Sequence, residues 1–515
     1  MNLARAKSIA LIGMEATIVE IEAWIGPGLP RTVIVGLPDT ALYESRDRCK
    51  AAVASTGLAW PGQVVTINLT PATLPKAGSH YDLGIAAAVL AAHRIVSPVL
   101  LEDLVILGEL GLDGRVHAVR GVLPALICAY RRGITRAVVP ASQMREAGLV
   151  EGMTVSPVAS LADLIALLNG DPTPPVSAAP PEAPEPSAIG DDLSDVIGLR
   201  TEKWALEVAA AGRHHLYFHG PPGVGKTLLA SRLPTILPDL TVSEALEVAS
   251  IHSLLEPAAI TGLPVRPPYS DPHHTISLAA LVGGGARIAR PGAVSRAHRG
   301  VLFLDEAPEF PAKSLDCLRT PLESGEILLG RSETQVVYPA RFQLVLAANP
   351  CPCGFAATPG ASCGCTPMAI RRYAARISGP ILDRIDIHQH ITPSRLSLTA
   401  LYHGGEESSS VVAARVAEAR DRQSRRYRGL PWQVNAEVPG GHLHNAMPSP
   451  QGIDLLEAAV SRGHLTPRGA DKVIRVAWSI ADLDANDRPE ADHLKAALAL
   501  RSGEPLPRRH HDQRR

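Results

Sequence analysis

Residues 220–227 read GPPGVGKT, which satisfies the pattern G-x-x-x-x-G-K-[ST] between a strand-like run, HLYFH, and a helical one, KTLLASRLP. No other stretch restricts the fold as much, because such a loop works only when a strand delivers it and a helix begins where it ends. Glycines let successive backbone N–H groups wrap a phosphate, and the positive end of the helix dipole favours the negative charge. Gly220, Pro221, Pro222, Gly223, Val224 and Gly225 form the candidate cradle. Lys226 is expected to reach the β- and γ-phosphates, and the Thr227 hydroxyl to bind Mg2+. ATP and Mg2+ are therefore the expected cofactors.

Two further runs fit the same site. VLFLDE, residues 301–306, places four apolar residues in a buried strand, so that Asp305 emerges at its end to hold Mg2+ and Glu306 beside it to polarise an attacking water. LVLAAN ends in Asn349, whose amide is suited to orient that water. Apolar strands that each end in polar residues indicate a parallel-sheet α/β fold with its chemistry at the carboxyl ends of the strands.

Around this core the chain divides by composition. Residues 171–190 are rich in proline and alanine and read as an extended linker. Residues 1–170 mix strand runs, VVTINL (64–69) and LVILGEL (104–110), with amphipathic helical ones at 81–95 and 121–133, an α/β or α+β domain. Residues 191–395 form the ATPase core, and residues 396–515 a helical domain with a charged tail. The net charge of −1 gives no global attraction to nucleic acid, and 4% aromatics argues against a broad base-stacking surface. One basic run, ARDRQSRRYRG (419–429), is a candidate phosphate-contacting stripe, although a solvated helix face is the commoner meaning of such a run. No secretory leader or membrane-length apolar segment is visible, so a cytoplasmic location without membrane contact is expected.

GPPGVGKT, VLFLDEAPEF, the strand ending AANPCPCG and ISGPILDRIDIH together resemble the magnesium-chelatase-like AAA+ ATPases, more narrowly those of the ComM/YifB type. PHHTISLAALVGGG (272–285) and LTPRGADKVIRVAWSIADL (465–483) extend the likeness over nearly the whole chain. It implies a P-loop AAA+ core with a helical lid, preceded by an S5-like (Lon-protease-like) α+β domain. Arg384 matches the arginine finger that reaches a neighbouring subunit's γ-phosphate, and Arg468 the second sensor. A finger supplied in trans implies a ring, here a homo-hexamer. His273, His274 and Gly283–Gly285 fall where the family carries inserted elements, which it places toward the central pore.

The implied activity is a helicase-like DNA translocase that promotes branch migration in recombination or natural transformation, acting on single-stranded or branched DNA. The alternative is a protein-remodelling ATPase of the magnesium-chelatase ATPase-subunit type. That subunit normally lacks the S5-like domain present here. The N-terminal PKAGSHYDLGI also departs from the Lon peptidase pattern: Asp82 stands where the nucleophile belongs, and Ser79 and Lys76 are out of pattern. An interaction or substrate-engaging module is expected in place of a protease. Protein partners are not legible in the sequence.

Four of the seven cysteines fall in CPCGFAATPGASCGC, residues 351–365. ATP hydrolysis has no use for a thiolate, and a disulfide conflicts with a reducing compartment. Cys351, Cys353, Cys363 and Cys365 are the candidate ligands of a tetrahedral structural Zn2+, with reduced free thiols as the alternative.

Overall fold

The computed structural model describes residues 2–36, 39–74, 76, 78–171, 191–258, 260–285, 289–330, 335–356, 362–392 and 406–506. The linker beyond Asp171, the expected boundary at 395/396 and the charged tail from residue 507 lie outside them.

The first third of the chain builds one mixed sheet. Its strands are β1 (Leu3–Ile12), β2 (Glu15–Gly26), β3 (Arg31–Val35), β4 (Val64–Thr70), β5 (Leu104–Ile106), β8 (Arg136–Pro140) and β9 (Thr154–Val158), in the order β3-β4-β2-β1-β5-β8-β9. The short strands β6 (Glu109–Leu110) and β7 (Val116–His117) pair with each other beside it. The expected strand 104–110 is thus split, because the Leu107 N–H bonds across to Val138 while Gly108 turns to His80 and Leu83. The 81–95 run forms the helix Asp82–Ala92, yet all of its residues are buried. It is a central helix, not an amphipathic one; its small apolar side chains give no polar face.

In the ATPase core, β10 (Leu216–His219), β11 (Tyr269–Ser270), β14 (Val301–Leu304), β17 (Gln343–Ala348) and β18 (Ile387–His390) form a parallel sheet in the order β11-β14-β17-β10-β18. Strands β14 and β17 are buried along their whole length, as expected of strands covered on both faces. Two hairpins interrupt this core: β12 (Gly283–Gly284) with β13 (Arg290–Pro291), and β15 (Glu326–Gly330) with β16 (Gln335–Pro339). The fold class is the expected one, an α/β core with a parallel sheet after an α+β unit.

After residue 406 the described chain is helical: Ser409–Arg426, Gly440–Asn445, Asp454–Ser461, Pro467–Leu483 and Ala491–Ser502. These helices share one apolar cluster with the core, in which Val412, Val416, Val473 and Trp478 join Leu206, Phe218, Leu229 and Leu233. Each such side chain contributes roughly 1.5–3 kcal/mol on burial, so lid and core are held together by their packing.

The basic run 419–429 does not present a uniform stripe. Arg420 turns inward to the Ala210 carbonyl of a core helix, and Arg426 pairs with Asp482 of the lid helix Pro467–Leu483. A helix that must pack on a neighbour uses its long basic side chains as anchors.

A second contact joins the N-terminal unit to the core. The buried Glu146 carboxylate accepts from the Leu123 N–H at 3.1 Å, from Gln143 at 2.9 Å and from the Ser253 hydroxyl of the core helix Val242–Leu255. Burial raises its pKa against the hydrogen bonds that favour the charged form. A carboxyl whose folded value is raised stabilises least when ionised, so the junction should weaken as pH climbs from the ordinary glutamate range through that raised value. Glu146→Ala strips three donors of their acceptor, a cost on the order of 1–3 kcal/mol. Hydrogen exchange over residues 242–255 should speed up in this variant; unchanged exchange would show that the carboxylate does not hold the junction.

Candidate active site

Three neighbouring strands bring the site together. β17 lies between β10 and β14 in parallel register, with His219 opposite Ala348 and Leu304 opposite Leu346. The segments that follow these strands, beginning at Gly220, Asp305 and Asn349, therefore leave the sheet side by side. Gly220 has no room for a side chain, because a Cβ there would stand 2.4 Å from the Ile391 carbonyl at the end of β18. Gly225 has φ +92° as it caps the helix Lys226–Ile236, a conformation that side chains resist.

Lys226 is buried, and its Nζ donates to the carbonyls of Gly220 at 2.7 Å and Pro221 at 2.8 Å and to Asn349 Oδ1 at 2.9 Å. Burial lowers its pKa. The Thr227 hydroxyl donates to Asp305 Oδ2 at 2.8 Å. These two oxygens converge at the N-terminus of the helix, which fits a hard cation held beside a phosphate. The other oxygen of Asp305 accepts the Glu306 N–H at 2.8 Å. Glu306 itself sits at φ +49°, ψ +43°, left-handed backbone that a non-glycine residue seldom adopts. Strain of this kind aims a side chain that regular geometry would turn elsewhere.

Other residues reach the site from outside these strand–turn units. His274 Nδ1 lies 3.4 Å from Glu306 Oε2, and its ring meets Phe310 edge-on. The inserted segment thus reaches the strand ends at His274, whereas Gly283 and Gly284 belong to the hairpin with β13. Leu199 packs against Gly225, and Glu406 secures that segment by accepting from the Gly198 N–H at 2.9 Å and from Lys203 at 2.5 Å. Glu406 is 208 residues from Gly198, beyond the reach of any motif.

Arg384 and Arg468 lie together, but among the described residues neither contacts the phosphate loop, Asp305, Glu306 or Asn349. Arg384 Nη2 bonds Glu323 Oε1 at 2.8 Å, and Arg468 Nη2 bonds the same oxygen. In the N-terminal unit Ser79 donates to Glu109, while Lys76 donates to the carbonyls of Gly36 and Pro71. The two do not form a nucleophile–base pair. Asp82 is buried and bound by Arg48 and Ser45, a structural arrangement.

The four clustered cysteines converge. Sγ–Sγ distances are 3.3 Å for Cys351–Cys353, 3.5 Å for Cys353–Cys363 and 3.7 Å for Cys351–Cys363, and all four sulfurs lie within 4.8 Å of one another. Thiolates at about 2.3 Å from a tetrahedral Zn2+ stand about 3.8 Å apart, so the spacing fits that ion. Burial opposes ionisation of Cys351, but the Ala356 N–H and the adjacent thiols overcome it and bring the thiol to about 6. Gly354, between these cysteines, lies against Pro222 of the phosphate loop.

The chain is similar to known proteins along nearly its whole length. Family profiles for magnesium chelatase, subunit ChlI, match residues 192–398 and, for its C-terminal part, 406–501. A third, subunit ChlI of Mg-chelatase, matches residues 21–143. An uncharacterized protein of Mycobacterium tuberculosis is 50% identical over 97% of this chain and 99% of its own length. The protein YifB of Escherichia coli is 40% identical, over 98% of this chain and 97% of its own. Competence protein ComM of Haemophilus influenzae is 37% identical over 98% of both.

Placing a methyl group against the Ile391 carbonyl in Gly220→Ala should cost about 1–3 kcal/mol. Fluorescent-nucleotide titration should then show binding weakened by roughly ten- to a hundredfold. Gly62→Ala, where a Cβ meets open space, should bind as the parent does; equal affinity in both variants would refute the crowding at Gly220.

Proposed function

This chain belongs to the magnesium-chelatase-like AAA+ ATPases of the YifB and ComM type, and on that basis we propose that it is a ring-forming motor that spends ATP on moving along branched DNA. The family makes it an ATPase that uses ATP and Mg2+. The observation that carries the catalytic reading is the convergence of Lys226, Thr227, Asp305, Glu306 and Asn349 at the ends of β10, β14 and β17.

In this reading Lys226 exchanges its carbonyl contacts for phosphate oxygens, which suit an ammonium better than neutral acceptors do. Thr227 and Asp305 would hold Mg2+, which would supply positive charge beside the phosphates. Glu306 takes the proton of the attacking water, and the Asn349 amide, now bound to Lys226, orients that water. Arg384 of an adjoining subunit offsets the charge that spreads over the transferring phosphoryl, which requires a ring; the family likeness makes that ring a homo-hexamer. The DNA substrate is supported by the likeness to a relative named as a competence protein. Among the described residues no helix is long and apolar enough to cross a membrane.

The cysteine cluster completes the proposal as a structural Zn2+ site. Cys351, Cys353, Cys363 and Cys365 supply four thiolates, and the ion would hold the turn at Gly354 against the phosphate loop. Protein purified without chelator should carry one zinc per chain, and Cys353→Ser should lose it; clearly substoichiometric zinc in active protein would leave four reduced thiols instead.

ATP turnover measured with no DNA and with single-stranded, duplex and branched DNA tests the motor. Branched or single-stranded DNA should stimulate turnover, and Glu306→Gln should lower it by about a hundredfold or more while retaining ATP. An ATPase indifferent to every DNA, with no DNA binding at low salt, would favour protein remodelling.

A further inference from the structure

The two arginines that the sequence assigns separate roles share one acceptor. Arg384 is 15% exposed in its side chain, and its Nη1 is held by the Pro380 carbonyl at 2.6 Å while its Nη2 meets Glu323. Arg468 stands at the start of the helix Pro467–Leu483 and meets the same Glu323 oxygen. One turn further along that helix, Lys472 donates to the Arg384 carbonyl at 2.9 Å and to Asp386 Oδ1 at 2.5 Å. Asp383 faces both Arg468, at 3.8 Å, and Arg501 of the last helix, at 3.6 Å. The segment that carries Arg384 is therefore clamped to the lid helices of its own chain.

Two guanidinium groups this close repel each other, and only a negative charge between them keeps them adjacent. Glu323 supplies it. Among the described residues Glu323 has no hydrogen bond to the phosphate loop; its carboxylate is taken up by the two arginines, with Arg468 foremost in holding it ionised. Arg384 Nε is buried with no acceptor.

We infer that Glu323 is a positioning residue that sets Arg384 and Arg468 side by side as one unit for the phosphate of the adjoining subunit. A phosphoryl in transfer spreads charge over three oxygens, so a preset pair of planar forks matches it better than one mobile arginine does. The helix Arg319–Ser324 that carries Glu323 runs directly into β15, so the pair is also tied to the base of the β15–β16 hairpin. The inference rests on the reading of Arg384 as a finger acting in trans.

The test uses the full chain. Glu323→Ala should lower kcat on the order of a hundredfold, the size of effect expected when a reacting geometry slips by about an ångström. KM for ATP should stay nearly unchanged, because the pair acts on bound nucleotide. Glu323→Gln, which keeps an acceptor but loses the charge, should fall between. Subunits of Glu323→Ala mixed with Lys226→Ala should regain hydrolysis, since the first brings an intact ATP site and the second an intact arginine pair. Arg384→Ala mixed with Lys226→Ala is the reference.

If the reference mixture recovers and the Glu323→Ala mixture does not, Glu323 does not act on the trans side and the inference is wrong. Wild-type kcat in Glu323→Ala would overturn it equally. If the reference mixture itself fails while rings form, the trans reading of Arg384 falls first. Should Glu323→Ala assemble poorly, Glu323→Gln carries the same comparison.

Discussion

The register of β17 between β10 and β14 is the constraint on which the rest of the site depends. Parallel pairing sets His219 against Ala348 and Leu304 against Leu346, so three turns leave one edge of the sheet within hydrogen-bond reach of each other. The contacts Lys226–Asn349 and Thr227–Asp305 follow from that register. A slip of one residue would reverse the side chains of a strand buried on both faces, and the packed core forbids it. The chemistry is local, but the sheet sets its distances.

A second group of buried charges connects this edge to the lid. Asp386, just before β18, is buried; burial opposes its charge, yet Lys472 and His214 hold it well below the usual carboxylate range. Buried ion pairs of this sort add little net stability, but they admit few alternative geometries. Here the consequence is that Arg384, whose carbonyl Lys472 also holds, moves with the helix Pro467–Leu483. Any tilt of the lid on binding nucleotide would be carried to the residue proposed to act on the neighbouring site.

How much of this could be read beforehand depended on sequence distance. Gly220 to Thr227, Asp305 with Glu306, and Asn349 each belong to a short strand–turn unit whose chemistry is local, so residue type and spacing were enough. The cysteines were legible because four thiols in one loop have few other uses, and their sulfurs do converge. Glu323 was not, since it meets Arg384 from 61 residues away and Arg468 from 145. His274 was assigned with the inserted elements, and its approach to Glu306 depends on how that insert folds back. The helix Asp82–Ala92 misled for another reason: alanine is compatible with either a buried or a half-exposed helix, so its pattern names no face. In the basic run, Arg420 and Arg426 look identical to solvated arginines until the helices they anchor are in place.

Completion of each ATP site by an adjoining subunit, as proposed, would tie hydrolysis to assembly. It is tested most directly by following the rate of ATP hydrolysis per chain as the protein is diluted, with the assembly state measured on the same samples. Dissociated chains should still bind ATP through the loop at 220–227 but lose hydrolysis in step with the loss of rings. An unchanged rate per chain in samples shown to be monomeric would contradict it.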